Sequence, residues 1–216
     1  MSAMSDQTYD DTLRAFDALQ PGQVLAMSGD DLKPLLRRLQ AERPHAFDWS
    51  VLEAGPAGSR VEIRRRVTDA SGTVSEFLGD DHHRLDGILA EVTRLVGEGA
   101  LSSAEQPFAE FACGLNWHID AEETTLFPTF EQKTGMVQGP TTVMRREHVM
   151  IRRQMNEVAG GLKAGDRAAT EQAIRVLTDL LADHNIKEER MLYPMADRAM
   201  QDARERDDLV NRIQTT

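Results

Sequence analysis

The sequence predicts a mainly α protein: an up-down-up-down four-helix bundle preceded by a small β-α-β-β domain. Three observations carry this. From residue 75 on, apolar residues recur at steps of four and three, the period of one buried helix face. Short glycine-bearing breaks separate these stretches, and short connections make neighbouring helices antiparallel. Before them, apolar and polar residues alternate in short runs around one helical stretch, as strands do.

Residues 1–11 are polar and acidic and read as a disordered lead-in, with no targeting signature. A small α/β domain follows over 12–67. Gln23 to Met27 is a strand after the Pro21-Gly22 turn. Asp30 and Asp31 offer an N-cap for a helix over 32–42, with Leu32, Leu35, Leu36 and Leu39 on one face and Pro44 beyond its end. Phe47 to Glu53 alternates Phe47, Trp49 and Val51 as a strand. Gly55-Pro-Ala-Gly58 turns the chain into a return strand, Arg60 to Arg66, carrying Val61 and Ile63. A unit this small is marginal alone. A polar linker runs from Val67 to Thr73.

The bundle spans 75–201, with helices over 75–97, 103–133, 141–163 and 167–201. Its breaks are Gly97-Glu-Gly99, Thr134-Gly135 to Pro140, and Gly160-Gly161 to Asp166. Ser103, Thr141 and Asp166 are the expected N-caps. Pro128 and Pro194 should kink or end their helices. Residues 202–216 read as a highly charged tail, a solvated helix end.

A net charge of −11 and a pI near 5.0 exclude nucleic acid as the main partner. No run of 18 apolar residues exists, so nothing is expected to span a membrane. Cys113 is the single cysteine, which fits a reducing cytoplasm and keeps sulfur out of any multi-ligand site. Its helical phase places it beside the seam, as an inert buried thiol.

The chemistry lies in a stretch that occurs twice: His118-Ile-Asp-Ala-Glu122-Glu-Thr-Thr-Leu-Phe-Pro128 and His184-Asn-Ile-Lys-Glu188-Glu-Arg-Met-Leu-Tyr-Pro194. The copies lie 184 − 118 = 66 residues apart, and Asp81-His82 recurs as Glu147-His148 at the same offset. The apolar seams repeat too. Leu78, His82, Leu85, Leu89, Val92, Val96 match Met144, His148, Ile151, Met155, Val158, Leu162. A His and a Glu four apart share a helix face. Six seam residues are therefore candidate metal ligands: His82, His118, Glu122, His148, His184 and Glu188. Ordinary packing tolerates one buried histidine, but not six such groups in register, because an unpaired buried carboxylate is costly. A pair of cations resolves this.

Other residues take quieter roles. His83 lies about 100° off the seam and is expected outside the ligand set. Glu123 and Glu189 are solvated by default, with orienting roles second; Asp81 and Glu147 either orient a histidine or face water. His45 is a surface histidine, and Trp117, Phe127 and Tyr193 are read first as core, with Tyr193 a possible hydrogen-bond donor to a bound oxygen species. Four imidazoles and two carboxylates without thiolate suit iron ahead of manganese, and tolerate zinc. If both glutamates bridge, with an oxo or hydroxo group between the ions, about one position per six-coordinate ion stays open to O2, NO or peroxide.

These pieces in this order closely resemble the hemerythrin-like (HHE cation-binding) family: Asp81-His82-His-Arg-Leu-Asp86, His118-x-x-x-Glu122 with Leu-Phe-Pro128, Glu147-His148, and His184-x-x-x-Glu188 with Leu-Tyr-Pro194. The resemblance implies two non-haem irons that bind dioxygen, nitric oxide or peroxide. Oxygen carriers of the family have a further histidine where Arg152 stands, and an aspartate one residue beyond the position of Glu188. The four-His, two-Glu set is instead similar to that of the iron-centre repair group. That favours a more symmetric site open at both irons. Asp17-Ala-Leu-Gln-Pro-Gly22 and Gln40-Ala-Glu-Arg-Pro44 resemble the small TusA-like sulfur-carrier domain, but this segment has no cysteine, so sulfur transfer is not carried over. The leading expectation is a cytoplasmic di-iron protein that binds or senses O2, NO or peroxide. Alternatives are an oxidoreductase acting on those molecules and an iron donor to damaged iron–sulfur clusters.

Overall fold

The computed structural model describes residues 6–20, 22–29, 32–43, 46–55, 58–65, 72–214 and 216. The chain divides into two compact units, Met1–Ala70 and Ser71–Thr216.

The first unit contains helices α1 (Asp6–Asp17) and α2 (Lys33–Glu42) and strands β1 (Val24–Gly29), β2 (Phe47–Gly55) and β3 (Gly58–Arg65). The strands form an antiparallel sheet in the order β1-β3-β2. Leu32, Leu35, Leu36 and Leu39 bury the expected face of α2, together with Phe47, Val61 and Ile63 from the sheet. Helix α1 corrects the sequence reading, which has a disordered lead-in there. Tyr9, Leu13 and Phe16 recur at helical spacing, and Tyr9 and Phe16 are buried in this core. Arg43 fixes the end of α1 through paired contacts to the Asp17 carboxylate at 3.1 and 2.9 Å. Trp49 departs from the alternation argument. It pairs opposite the buried Ile63 but is 48 % exposed, because β2 is an edge strand. The Asp30-Asp31 cap, the Pro56-Ala57 part of the turn, His45 and most of the linker lie outside the described residues.

The second unit is built on α3 (Val74–Gly97), α4 (Leu101–Ala121), α5 (Phe127–Thr134), α6 (Pro140–Ala164), α7 (Arg167–Lys187), α8 (Tyr193–Ala199) and α9 (Ala203–Gln214). Contacts run from α3 to α4, α4 to α6, α6 to α7 and α7 back to α3, closing a four-helix ring. Every seam residue named above is buried, from Leu78 to Val96 and from Met144 to Leu162. The interior away from the histidines is apolar, with Phe108, Phe111 and Leu115 facing Ile174, Leu177 and Leu181 in one cluster.

Helix ends follow local chemistry, with two corrections. Asp166 caps α7 by accepting from the Ala169 N–H at 3.0 Å, as expected. Ser103 and Thr141 are not caps: α4 starts after Ala100 and α6 after Gly139. Thr141 is buried and its hydroxyl donates to Glu131 Oε1 at 2.6 Å. At α3, Thr73 and Glu76 form a reciprocal capping box. Gly135 and Gly165 end α5 and α6 at φ of 73° and 66°, a backbone that favours glycine. Gly160-Gly161 does not break α6. A Cβ on Gly161 would lie 3.1 Å from the Thr170 Cα and N, so this glycine lets α6 and α7 approach closely.

Two features were not foreseen. Between α4 and α5, and between α7 and α8, the chain widens into a π-helical turn, Glu122–Leu126 and Glu188–Leu192. The Phe127 N–H donates to the Glu122 carbonyl and the Tyr193 N–H to that of Glu188, five residues back. Pro128 and Pro194 sit just after these turns and neither ends the rod. Proline clashes with the carbonyl four residues back in a regular helix, and the wider turn relieves that clash. The second feature is α9, where the sequence reading has a solvated tail. It buries Leu209, Val210 and Ile213 and contacts α3 and the first π turn.

Candidate metal centre

All six candidate ligands converge in the bundle, each no more than 4 % exposed. They come from α3 (His82), α4 and its π turn (His118, Glu122), α6 (His148), and α7 and its π turn (His184, Glu188). Two overlapping groups have donor atoms close enough to share an ion: Glu122, His148, His184 and Glu188, and His82, His118 and Glu188. The Glu188 carboxylate reaches into both. Its Oε1 lies 3.1 Å from His184 Nε2 and its Oε2 lies 3.4 Å from His82 Nε2. Glu122 turns Oε2 toward His148 Nε2, at 3.3 Å, and Oε1 toward the Tyr193 hydroxyl, at 2.8 Å.

Each imidazole is held from behind by a carboxylate on Nδ1. His82 meets Glu189 at 2.7 Å, His118 meets Asp81 at 2.9 Å, His148 meets Glu123 at 2.8 Å and His184 meets Glu147 at 3.0 Å. The pattern obeys the repeat: Asp81 to His118 becomes Glu147 to His184, and Glu123 to His148 becomes Glu189 to His82. Glu123 and Glu189 thus orient ligands rather than simply facing solvent, although their side chains stay 32 % and 41 % exposed. Arg84 steadies Asp81 and Lys187 steadies Glu147.

This arrangement favours one tautomer of each neutral ring. With Nδ1–H donating to a carboxylate, each neutral ring turns an Nε2 lone pair inward. His148 Nε2 and His184 Nε2 then face each other at 3.1 Å. Two lone pairs at that distance repel unless a cation sits beside them. With the rings neutral in that tautomer, Glu122 Oε2 and Glu188 Oε1 are buried without a hydrogen-bond donor, a costly state for a carboxylate oxygen. The donor set therefore fits a cation pair.

The metal-free field points the same way. Burial opposes charge on His82, but the Glu188 hydrogen bond and charge, with Glu189 behind, outweigh it and raise its pKa to about 9. His184 rises to about 9 against the same burial, through Glu188, Glu122 and Glu147. His148 is raised by Glu122. Burial alone would raise the Glu188 carboxyl, yet His184 and His82 hold it well below its ordinary value. The centre draws protons into the positions a metal would take.

Tyr193 reads from the sequence first as a core aromatic, but its hydroxyl lies among the candidate ligands. It is fully buried and also approaches Glu188 Oε2 at 3.1 Å. Five residues beyond Glu188 on a regular helix would put Tyr193 about 140° off that face; the π turn closes much of the gap. Its counterpart at the repeat offset is Phe127, whose ring stacks on His148 at 5.7 Å. The two halves are therefore unequal, against the symmetric site that the ligand set alone suggests.

The remaining candidates lie outside the cluster. His83 is exposed, its ring bonded to the Gly79 carbonyl at 2.8 Å. Trp117 packs edge-on to Phe77. Cys113 is exposed, not buried. Arg152, where oxygen carriers have a ligand, pairs with Asp120 at 2.7 Å.

The family model described as hemerythrin HHE cation binding domain matches residues 73–196. A second model, described as an uncharacterized conserved protein, matches residues 7–65. No curated protein and no solved structure matches the chain. Among the described residues, no helix is long and apolar enough to cross a membrane.

Proposed function

The chain belongs to the hemerythrin HHE cation-binding family, and from that premise we infer that it holds two non-haem iron ions and binds a small oxygen- or nitrogen-oxide ligand, O2, NO or peroxide, in a sensing or stress-response role. The observation that supports this reading is the convergence of four imidazoles on two buried carboxylates, each with one oxygen, Glu122 Oε2 and Glu188 Oε1, that has no hydrogen-bond donor. His82 and His118 would hold one ion and His148 and His184 the other, with Glu188 reaching both groups and Glu122 beside His148. Imidazole and carboxylate without thiolate favour iron over softer ions.

The rest of the chemistry belongs to the protein. The four carboxylates on Nδ1 keep the rings oriented and raise their basicity. The six candidate ligands are buried, which favours a small ligand over a bulky substrate. Bound iron supplies open coordination positions and a redox couple. Arg152 stands where the oxygen carriers have a further imidazole, which supports ligand trapping or sensing over reversible oxygen carriage.

The test is titration of reduced, iron-loaded protein with NO and with peroxide, followed by visible absorption. One stable stoichiometric adduct is the expected result. Repeated turnover with an added reductant would replace this reading with an oxidoreductase, and iron transfer to an apo-cluster acceptor would replace it with cluster repair.

A further inference from the structure

We propose that Tyr193 is a seventh ligand, whose phenol oxygen completes the coordination of the ion held by His82 and His118; this rests on the di-iron reading above.

Three observations support it. The ligand count is unequal: one group has four donors from Glu122, His148, His184 and Glu188, while the other has three, from His82, His118 and Glu188. The Tyr193 hydroxyl stands beside the deficient group. It lies 3.1 Å from Glu188 Oε2, 3.2 Å from His118 Nε2 and 3.4 Å from His82 Nε2. Donor atoms bound to one ion at about 2.1 Å are separated from each other by ~3.0–3.4 Å in octahedral or tetrahedral arrangements. The phenol oxygen thus keeps the spacing of a co-ligand to all three donors at once, whereas a core tyrosine needs only one hydrogen-bond partner.

The third observation is the repeat. Nearly every site residue has a chemically similar counterpart at the offset of 66, but Tyr193 is matched by Phe127. The Phe127 ring offers no donor atom and stacks on His148. Glu122 turns Oε2 toward His148 and accepts from the Tyr193 hydroxyl through Oε1 at 2.8 Å, and Tyr193 takes the fourth place beside His82 and His118. On binding, the phenol O–H breaks, an oxygen–metal bond forms and the proton passes to Glu122 Oε1, which accepts the phenol hydrogen bond at 2.8 Å. With Tyr193 counted, each of the two groups offers four protein donors.

The experiment uses full-length protein loaded with ferric iron, and in parallel with zinc. The expected result is a visible phenolate-to-iron charge-transfer band with resonance-enhanced tyrosine ring modes, lost completely in Tyr193→Phe. Zinc loading should give a tyrosinate ultraviolet difference signal equal to one residue of the two tyrosines in the chain, also absent in the variant. Because the first measurement is on the unsubstituted protein, misfolding of the variant cannot mask failure. Two irons bound with no tyrosine modes would overturn the proposal and leave the di-iron reading standing. No bound iron at all would overturn both.

Discussion

Glu188→Gln tests the electrostatics of the centre without changing its shape. Glu188 lies within 3.1 Å of His184 Nε2 and 3.4 Å of His82 Nε2. Burial opposes charge on both rings, and Glu188 is the leading influence that overcomes it, holding each near 9. A neutral amide removes that charge. Burial then weighs more heavily against the remaining carboxylates, Glu189, Glu122 and Glu147, and both imidazoles should fall from about 9 by up to the distance to their ordinary 6.5. The full fall is worth ~3 kcal/mol per ring, at about 1.4 kcal/mol for each tenfold change. The assay is an NMR pH titration of histidine-labelled, metal-free protein. Native His82 and His184 should titrate in the alkaline range, and in the variant closer to neutrality. If both still titrate near 9 in Glu188→Gln, the assignment of Glu188 as the carboxylate shared by the two halves is wrong.

Glu122→Ala should lose paired metal binding while His83→Ala retains it, as read by metal analysis after loading, because Glu122 faces the cluster and His83 does not. The stability of metal-free protein should fall as pH rises from 6.5 through about 9. The folded-state values of His82 and His184 lie above the ordinary one, so their contribution is complete below 6.5 and lost through 9; urea denaturation across that range measures it. Metal affinity should move the opposite way over the same interval, because the ions displace those protons. Leu209→Ala, in α9, should cost about 2–5 kcal/mol of unfolding free energy, as for a buried leucine; a solvated tail would cost under ~0.5 kcal/mol.

Much of the bundle was legible because its signal is periodic and repeated. The His82-to-Val96 and His148-to-Leu162 seams state one helix face twice, and two independent copies make accident improbable. The same repeat places four histidines and two glutamates in register. What it could not show depends on phase breaks. The π turns shift every side chain after Glu122 and Glu188, so the inward aim of Tyr193 is invisible to regular-helix geometry. Helices α1 and α9 were hidden by dilution. Tyr9, Leu13 and Phe16, and likewise Leu209, Val210 and Ile213, are few apolar residues among many charges, which reads as solvated chain until a packing surface appears. Cys113 failed for a simpler reason. Two positions from Phe111 is about 200° around a helix, which turns the thiol away from the seam toward solvent. Glu123 and Glu189 did carry a signal, since both repeat at the offset of 66. Partial exposure makes such residues look like ordinary surface charges.

The most direct measurement is anomalous diffraction at the iron edge from crystals of aerobically purified, iron-loaded protein. The account predicts two peaks inside the bundle, one beside His82 and His118 and one beside His148 and His184, with the Glu188 carboxylate between them. A single peak, peaks outside this cluster, or a stable folded protein that takes up no transition metal would contradict it.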